Sequence, residues 1–133
     1  MLIFPDIEKT LVAYFKQALE DSGSELAADV RVATKHSQPD ETTPSKQLVI
    51  IAAYNQDTID RVTKLASVTL EVYADDYATA SSLAFLVEAL ARECTGPEIK
   101  RVETRLGPVR TNEEGQQERR SLDLEVIVKG ADL

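Results

Sequence analysis

The feature that most constrains the fold is a ten-residue stretch, Leu65 to Ala74 (LASVTLEVYA), in which apolar and polar residues alternate. A repeat of two residues is the repeat of a β-strand with one buried face and one solvated face. The buried face would carry Val68, Leu70, Val72 and Ala74, and the solvated face Ser67, Thr69, Glu71 and Tyr73. The chain must therefore form a sheet that is covered on one side at this strand.

Other segments predict the remaining strands. Gln47 to Tyr54 (QLVIIAAY) is a continuous apolar run typical of a central strand, and Asp29 to Lys35 (DVRVATK) alternates over a shorter length. Two long extended stretches, about 98–110 and 119–129, flank the turn-rich segment Thr111 to Gln117 and predict a long C-terminal β-hairpin. At about 3.3 Å per residue, such strands are as long as a domain of this size is wide. We therefore expect the turn of this hairpin to overhang the core.

Two segments repeat apolar residues at helical spacing. The first helix, predicted over about 5–21, begins with Pro5 and Asp6, which are residue types that start helices. The second, over about 76–94, begins at Asp75 or Asp76 as the N-cap. Its apolar stripe comprises Ala80, Leu83, Ala84, Val87, Leu90, Ala91 and Cys94. The chain of 133 residues is thus expected to form one domain, 1–133, of α+β class. Its predicted order is α-β-β-β-α-β-β, with a mainly antiparallel sheet and two packed helices.

Composition excludes several classes of protein. A single Cys and a single His exclude both a disulfide framework and a Cys/His zinc site within one chain. A net charge of -8 disfavours bulk attraction to DNA or to an anionic membrane. No apolar run approaches the roughly 18 residues that span a bilayer. We expect a soluble intracellular protein with no membrane partner.

No set of residues predicts catalysis. Asp75 and Asp76 lie at a strand-to-helix junction and are better interpreted as helix-capping residues than as an acid/base pair. His36 lies in a polar loop, and Cys94 falls on the apolar stripe of the second helix. The five glycines are scattered singly, unlike those of a phosphate-binding loop. We therefore predict no catalytic residue, no metal and no cofactor.

Charge is distributed unevenly along the chain. Residues 98–120 carry six basic and five acidic residues, whereas residues 1–97 carry eight basic and 15 acidic residues. The arginines of the hairpin are Arg101, Arg105, Arg110, Arg119 and Arg120. An acidic body and an Arg-rich hairpin could pair head to tail between copies. The alternative is a solvated ribbon whose arginines pair across its own strands.

Two other regions are candidate contacts. Phe85, Leu86 and Ala89 lie off the main stripe of the second helix, which predicts either deep burial or a subunit contact. Residues 36–46 (HSQPDETTPSK), which begin at His36 and end at Lys46, contain two prolines and almost no apolar side chain. We expect this segment to be an exposed loop that a partner orders.

Several segments, taken in order, resemble one protein family. After QLVIIAAY come LASVTLEVYADDYATASSLAFLVEALARE (65–93) and GPVRTNEEGQQERRSLDLEVIVKG (107–130). Within them, Tyr73-Ala74-Asp75 is followed by an Ala-rich helix, by Gly107-Pro108-Val109 and by a closing Val128-Lys129-Gly130. This order resembles the tail terminator, or tail-completion, proteins of long-tailed bacteriophages, especially those of actinobacterial hosts.

The resemblance implies a non-enzymatic assembly protein with the layout given above. Such a protein would form a ring, expected to be a hexamer, at the head-proximal end of the tail tube. It would stop polymerisation of the tail tube protein and join the tail to the head-tail connector protein, so its location would be the neck of the virion after assembly in the bacterial cytoplasm. DNA would pass through the ring without specific binding, and the acidic balance of the chain suits that passage.

Three alternatives remain open at this point. A different head-tail connector protein would share much of the pattern. A small α+β ligand-binding or regulatory module would need a concave apolar pocket with converging polar groups. An enzyme of an unrecognised type would need a catalytic constellation, which the sequence does not contain.

Overall fold

The computed structural model describes residues 1–36, 47–112 and 117–132 of the chain. Its elements are β1 (Leu2–Ile3), α1 (Ile7–Asp21), a 3-10 turn (Glu25–Ala27), β2 (Arg31–Ala33), β3 (Leu48–Thr58), β4 (Thr63–Ala74), α2 (Tyr77–Arg92), β5 (Ile99–Arg110), β6 (Glu118–Lys129) and β7 (Ala131–Asp132). The predicted α+β class and order of helices and strands are confirmed. Two short strands, β1 and β7, are added at the ends and pair with each other.

The main sheet has five strands in the order β2-β3-β4-β6-β5. Its strands are antiparallel except for β2, which pairs parallel with the first residues of β3. Strand β6 lies between β4 and β5 and pairs with β4 over its whole length, from Thr63 opposite Lys129 to Ala74 opposite Glu118. The sheet therefore ends in two different edges, the short β2 and the long β5.

The alternation in β4 places its apolar residues against the helices, as predicted. Val68, Leu70 and Val72 are fully buried, together with Leu122 and Leu124 of the neighbouring β6. The core cluster also contains Leu11 and Phe15 of α1 and Leu83 and Val87 of α2. Both helices thus cover the same face of the sheet, and the face that carries Thr69 and Asp123 is left partly exposed.

Side chains at the helix starts explain where the helices begin. The carboxylate of Asp6 accepts from the Lys9 N–H at 3.3 Å, and that of Asp76 accepts from the Thr79 N–H at 2.8 Å. Each bond satisfies a donor that has no partner inside its helix. Asp76 is therefore the N-cap of α2, which agrees with the interpretation of this pair as helix-capping residues.

The expected overhang of the C-terminal hairpin falls on a turn whose residues 113–116 lie outside the described part of the chain, so it stays a prediction. Strand β6 pairs with β4 as far as Glu118 opposite Ala74. An end of the sheet that does stand clear of the core is the β3–β4 turn. Residues 54–62 are all exposed, and β3 runs on to Thr58, four residues past the predicted end of that strand.

Candidate interaction surfaces

Two arginines and one tyrosine fasten the C-terminal hairpin to the start of α2. The guanidinium carbons of Arg120 and Arg110 lie 4.6 Å and 5.1 Å from the ring centroid of Tyr77. Glu118 accepts from Arg110 at 2.7 Å and from Arg120 at 3.0 Å. These bonds, with another from Asn112, lower the pKa of Glu118 to about 2. We call Tyr77, Arg110, Glu118 and Arg120 the hairpin clamp.

The prediction that Arg120 is a surface contact is wrong. Its side chain is only 4% exposed, and its guanidinium donates to Ser81 Oγ at 3.1 Å and to the Arg119 carbonyl at 3.0 Å. The physical reason is strand parity, because Arg120 lies on the same face of β6 as Leu122 and Leu124. Arg120 therefore stabilises this chain rather than touching another.

Arg119 is also held by its own chain. It is half-buried, and its guanidinium donates to the Thr111 carbonyl at 2.9 Å and 2.6 Å. Arg110 remains 55% exposed although it belongs to the clamp. Among the five predicted arginines, these three fix the hairpin, and two others are presented to solvent.

The solvent-facing arginines are Arg101 and Arg105 on the edge strand β5. Their side chains are 63% and 61% exposed, and each meets an acidic neighbour, Glu103 at 3.4 Å and Glu125 at 3.9 Å. Such exposed ion pairs are weak and can be exchanged for partners on another molecule. Two exposed aliphatic side chains, Leu106 and Val109, follow them along the strand. We call Arg101, Arg105, Leu106 and Val109 the β5 edge surface.

Strand β5 has features that disfavour pairing of its free edge with a further strand. Its register with β6 shifts at three places, between Ile99 and Arg101, between Thr104 and Leu106, and between Leu106 and Val109. Pro108 also lacks a backbone N–H. Bulges and proline are devices that protect an edge from extension of the sheet. The β5 edge surface is therefore suited to contact a partner through side chains.

The remaining predicted contacts have different environments. Phe85 is 60% exposed on α2, whereas Leu86 is partly buried and packs against the core. His36 is exposed and lies edge-on to Tyr73, with 5.0 Å between the ring centroids. Lys46 and residues 37–46 lie outside the described residues. Phe85 and His36 thus remain candidate contacts, and Leu86 serves mainly to pack the helix.

Sequence reasoning missed the β3–β4 turn as a surface. Ile59 and Val62 are each more than half exposed there. The Asp60 carboxylate accepts from the N–H groups of Val62 and Thr63, both at 2.9 Å, and from the Thr63 hydroxyl at 2.6 Å. The Asp-x-x-Thr spacing of this Asx-type turn was the available signal. The turn is rigid and presents two aliphatic side chains.

Sequence reasoning also missed a groove at the β2 edge. It has a volume of about 390 Å³ and lies between the second half of α1 and residues 24–30. Leu19, Ala27 and Val30 contribute apolar lining, and Glu20 and Asp29 contribute carboxylates. We call it the α1 groove.

A smaller cavity of about 160 Å³ lies between α1 and the α2–β5 connection. Tyr14 and Cys94 line it, and the Tyr14 hydroxyl donates to the Leu90 carbonyl at 2.5 Å. Burial raises the pKa of the Cys94 thiol to about 11, so it is protonated and a poor nucleophile. Ligand sites usually enclose about 300–1,000 Å³, so this cavity is smaller than a typical ligand site.

The described residues contain neither a metal-binding cluster nor a membrane-spanning helix. Over residues 1–36, 47–112 and 117–132, no three or more His, Cys, Asp or Glu side chains converge to hold a metal ion. Neither of the two long helices in the described part of the chain has the length and hydropathy needed to cross a membrane. Comparison with protein-family models and with curated proteins finds no match to this chain.

Proposed function

We propose that this protein is a structural assembly protein of a long-tailed phage or prophage, a tail terminator. Copies form a ring, expected to be a hexamer, on the head-proximal end of the tail tube. The ring ends polymerisation of the tube protein and joins the tail to the head-tail connector protein in the virion neck. No residue is assigned a catalytic, cofactor-binding or metal-binding role.

The observation that carries the proposal is the difference between the two edges of the main sheet. The β5 edge presents Arg101, Arg105 and aliphatic side chains, whereas the β2 edge carries the acid-rimmed α1 groove. Two unlike surfaces on opposite sides of one chain allow heterologous contacts, which close into rings when the rotation between copies permits. The resemblance given by segments 65–93 and 107–130 supplies the identity of that ring.

The hairpin clamp gives further support. A ring of defined copy number requires a fixed angle between neighbouring subunits, and therefore rigid contact elements. Arg120 and Arg110 bind β5 and β6 to Tyr77 at the start of α2, so the hairpin and the helix move as one body. The β5 edge surface is consequently held in one orientation.

The charge of the chain is compatible with passage of DNA. A net charge of -8 means that a ring of several copies is strongly acidic as a whole. Like-charge repulsion would let duplex DNA slide through the ring without being held. A solved ring with a basic lumen would contradict this part of the proposal.

Electron microscopy of particles made without the gene tests the function directly. Loss of a terminator gives tail tubes of uncontrolled length, and adding the purified protein to growing tubes restores a fixed length. Tubes of normal length that fail to join heads would indicate the alternative, another head-tail connector protein. Tubes of normal length that join heads normally would overturn both assignments.

A further inference from the structure

The α1 groove has an apolar lining and an acidic rim. Leu19, Ala27 and Val30 line it, and Ala27 and Val30 pack against the core from its inner side. The rim carries Glu20 and Asp29, and both are exposed. A volume of about 390 Å³ is enough for several aliphatic side chains.

The carboxylates at this groove have few cationic neighbours among the described residues that line it. The last turn of α1 contains Glu20 and Asp21 and no basic residue, although the negative end of a helix dipole favours cations. Glu25 and Asp29 add two more exposed carboxylates close by. Lys16 is the only cation among the residues that line the groove. A cation supplied from outside would therefore be stabilised here.

The opposite edge of the same sheet carries the complementary chemistry. The β5 edge surface combines two exposed arginines, Arg101 and Arg105, with two exposed aliphatic side chains, Leu106 and Val109. Strand order places β5 four strands away from β2, at the far side of the sheet. One chain cannot join these two surfaces, but two copies can.

We infer that the α1 groove receives the β5 edge surface of a second copy of this chain. Leu106 and Val109 of one copy pack on the apolar lining, and Arg105 pairs with the Glu20 carboxylate on the rim. The contact is head to tail, so each copy has one groove and one edge surface to offer. This inference rests on the proposed function only in expecting that the series of contacts closes into a ring.

Two charge reversals separate the two sides of the interface. Glu20→Arg damages the groove, Arg105→Glu damages the edge surface, and both residues are exposed, so folding is expected to be retained. Controls with the same changes of charge are Glu93→Arg and Arg61→Glu, at exposed positions outside both surfaces. Circular dichroism melts verify folding, and native mass spectrometry with sedimentation velocity measures assembly of the full chain.

We expect the wild type and both controls to form oligomers at tens of micromolar, and each single reversal to weaken association at least about tenfold. The decisive sample is the mixture of the two reversed variants. In this mixture the edge surface of the Glu20→Arg chain meets the intact groove of the Arg105→Glu chain, and the reversed edge of the second chain meets the reversed groove of the first. Every contact between unlike chains therefore pairs opposite charges, so the mixture forms 1:1 oligomers in which the two chains alternate. The doubly reversed chain regains oligomers, because its charges are exchanged.

Several results would overturn the inference. A wild type that stays monomeric at every concentration would do so, as would reversed variants that assemble like the controls. A mixture in which no oligomer contains both chains would do so as well. Reversed variants that assemble normally would leave the terminator proposal standing, whereas correctly finished tails made without the gene would overturn that proposal and leave this interface untouched.

Discussion

Arg120 lies against Tyr77 with 4.6 Å between the guanidinium carbon and the ring centroid, and its side chain is almost fully withdrawn from water. A cation on an aromatic face contributes about 2 kcal/mol when it is desolvated. The contact joins the first residue of α2 to the third residue of β6. It therefore links two residues that are more than forty positions apart in the chain, at the end of the sheet where Arg110 also contacts Tyr77.

We expect Arg120→Ala to lower the free energy of unfolding by roughly 2–4 kcal/mol, because Glu118 loses a buried partner and a cavity forms beside Tyr77. Urea denaturation monitored by circular dichroism measures this change. The matched control is Arg101→Ala, whose side chain is 63% exposed and whose removal should change stability by less than about 1 kcal/mol. Equal losses in the two variants would contradict the structural role of Arg120.

Acid should weaken the hairpin clamp through Glu118. Its folded-state pKa of about 2 lies below its ordinary value of 4.5, so its stabilising contribution is present above about pH 4.5 and is lost as the pH falls towards 2. Glu118→Gln cannot titrate. The melting temperature of this variant should fall less than that of the wild type between about pH 5 and pH 2.5. If the melting temperatures of the wild type and of Glu118→Gln fell equally over that pH range, Glu118 would not have the low folded-state pKa described here.

Neighbouring positions on α2 should separate stability from assembly. Leu83 is fully buried, and Leu83→Ala is expected to cost about 2–5 kcal/mol of unfolding free energy. Phe85 is 60% exposed, so Phe85→Ala should cost less than about 1 kcal/mol. If the face of α2 that bears Phe85 touches another subunit, the Phe85 variant should nevertheless assemble more weakly by native mass spectrometry. Full assembly of this variant would remove Phe85 from the set of contacts.

The thiol of Cys94 should be protected in the folded protein. It is 3% exposed, and its pKa of about 11 leaves little thiolate at pH 8. We expect iodoacetamide to modify the native chain at least about a hundredfold more slowly than the urea-unfolded chain, as followed by intact-mass measurement. Rapid labelling of the native chain would show that the cavity beside Tyr14 opens readily.

Periodicity predicted most of the fold because one face of the sheet is buried along its length. The alternation of β4 and the helical stripe of α2 each report that burial directly, and their bounds came within two residues of those observed. The end of β3 was missed because this part of the strand is exposed and has no buried face to report. Asn55, Gln56 and Asp57 are exposed residues of low strand propensity, and their extended form depends on pairing with Leu65 to Ser67 of β4.

The candidate contacts were less predictable, because the sequence shows which side chains are charged but not which of them are buried. The five arginines of the hairpin formed one group in the sequence, yet the structure places them in three environments. Arg110 and Arg120 belong to the hairpin clamp, Arg101 and Arg105 to the β5 edge surface, and Arg119 binds Thr111. Strand parity alone would have placed Arg120 with Leu122 and Leu124, since these residues alternate along β6. The α1 groove had no such signal, because it forms where the second half of α1 lies beside residues 24–30, and no periodicity in the sequence reports that arrangement.

The insertion of β6 between β4 and β5 also constrains how the chain is made. The ribosome must release residues 118–129 before β4 and β5 gain the strand that lies between them. Until then β4 presents an unpaired apolar edge, which is the kind of surface that aggregates or recruits chaperones. A chain that stops anywhere before Glu118 therefore lacks an internal strand of the main sheet and is expected to be a substrate for proteolysis.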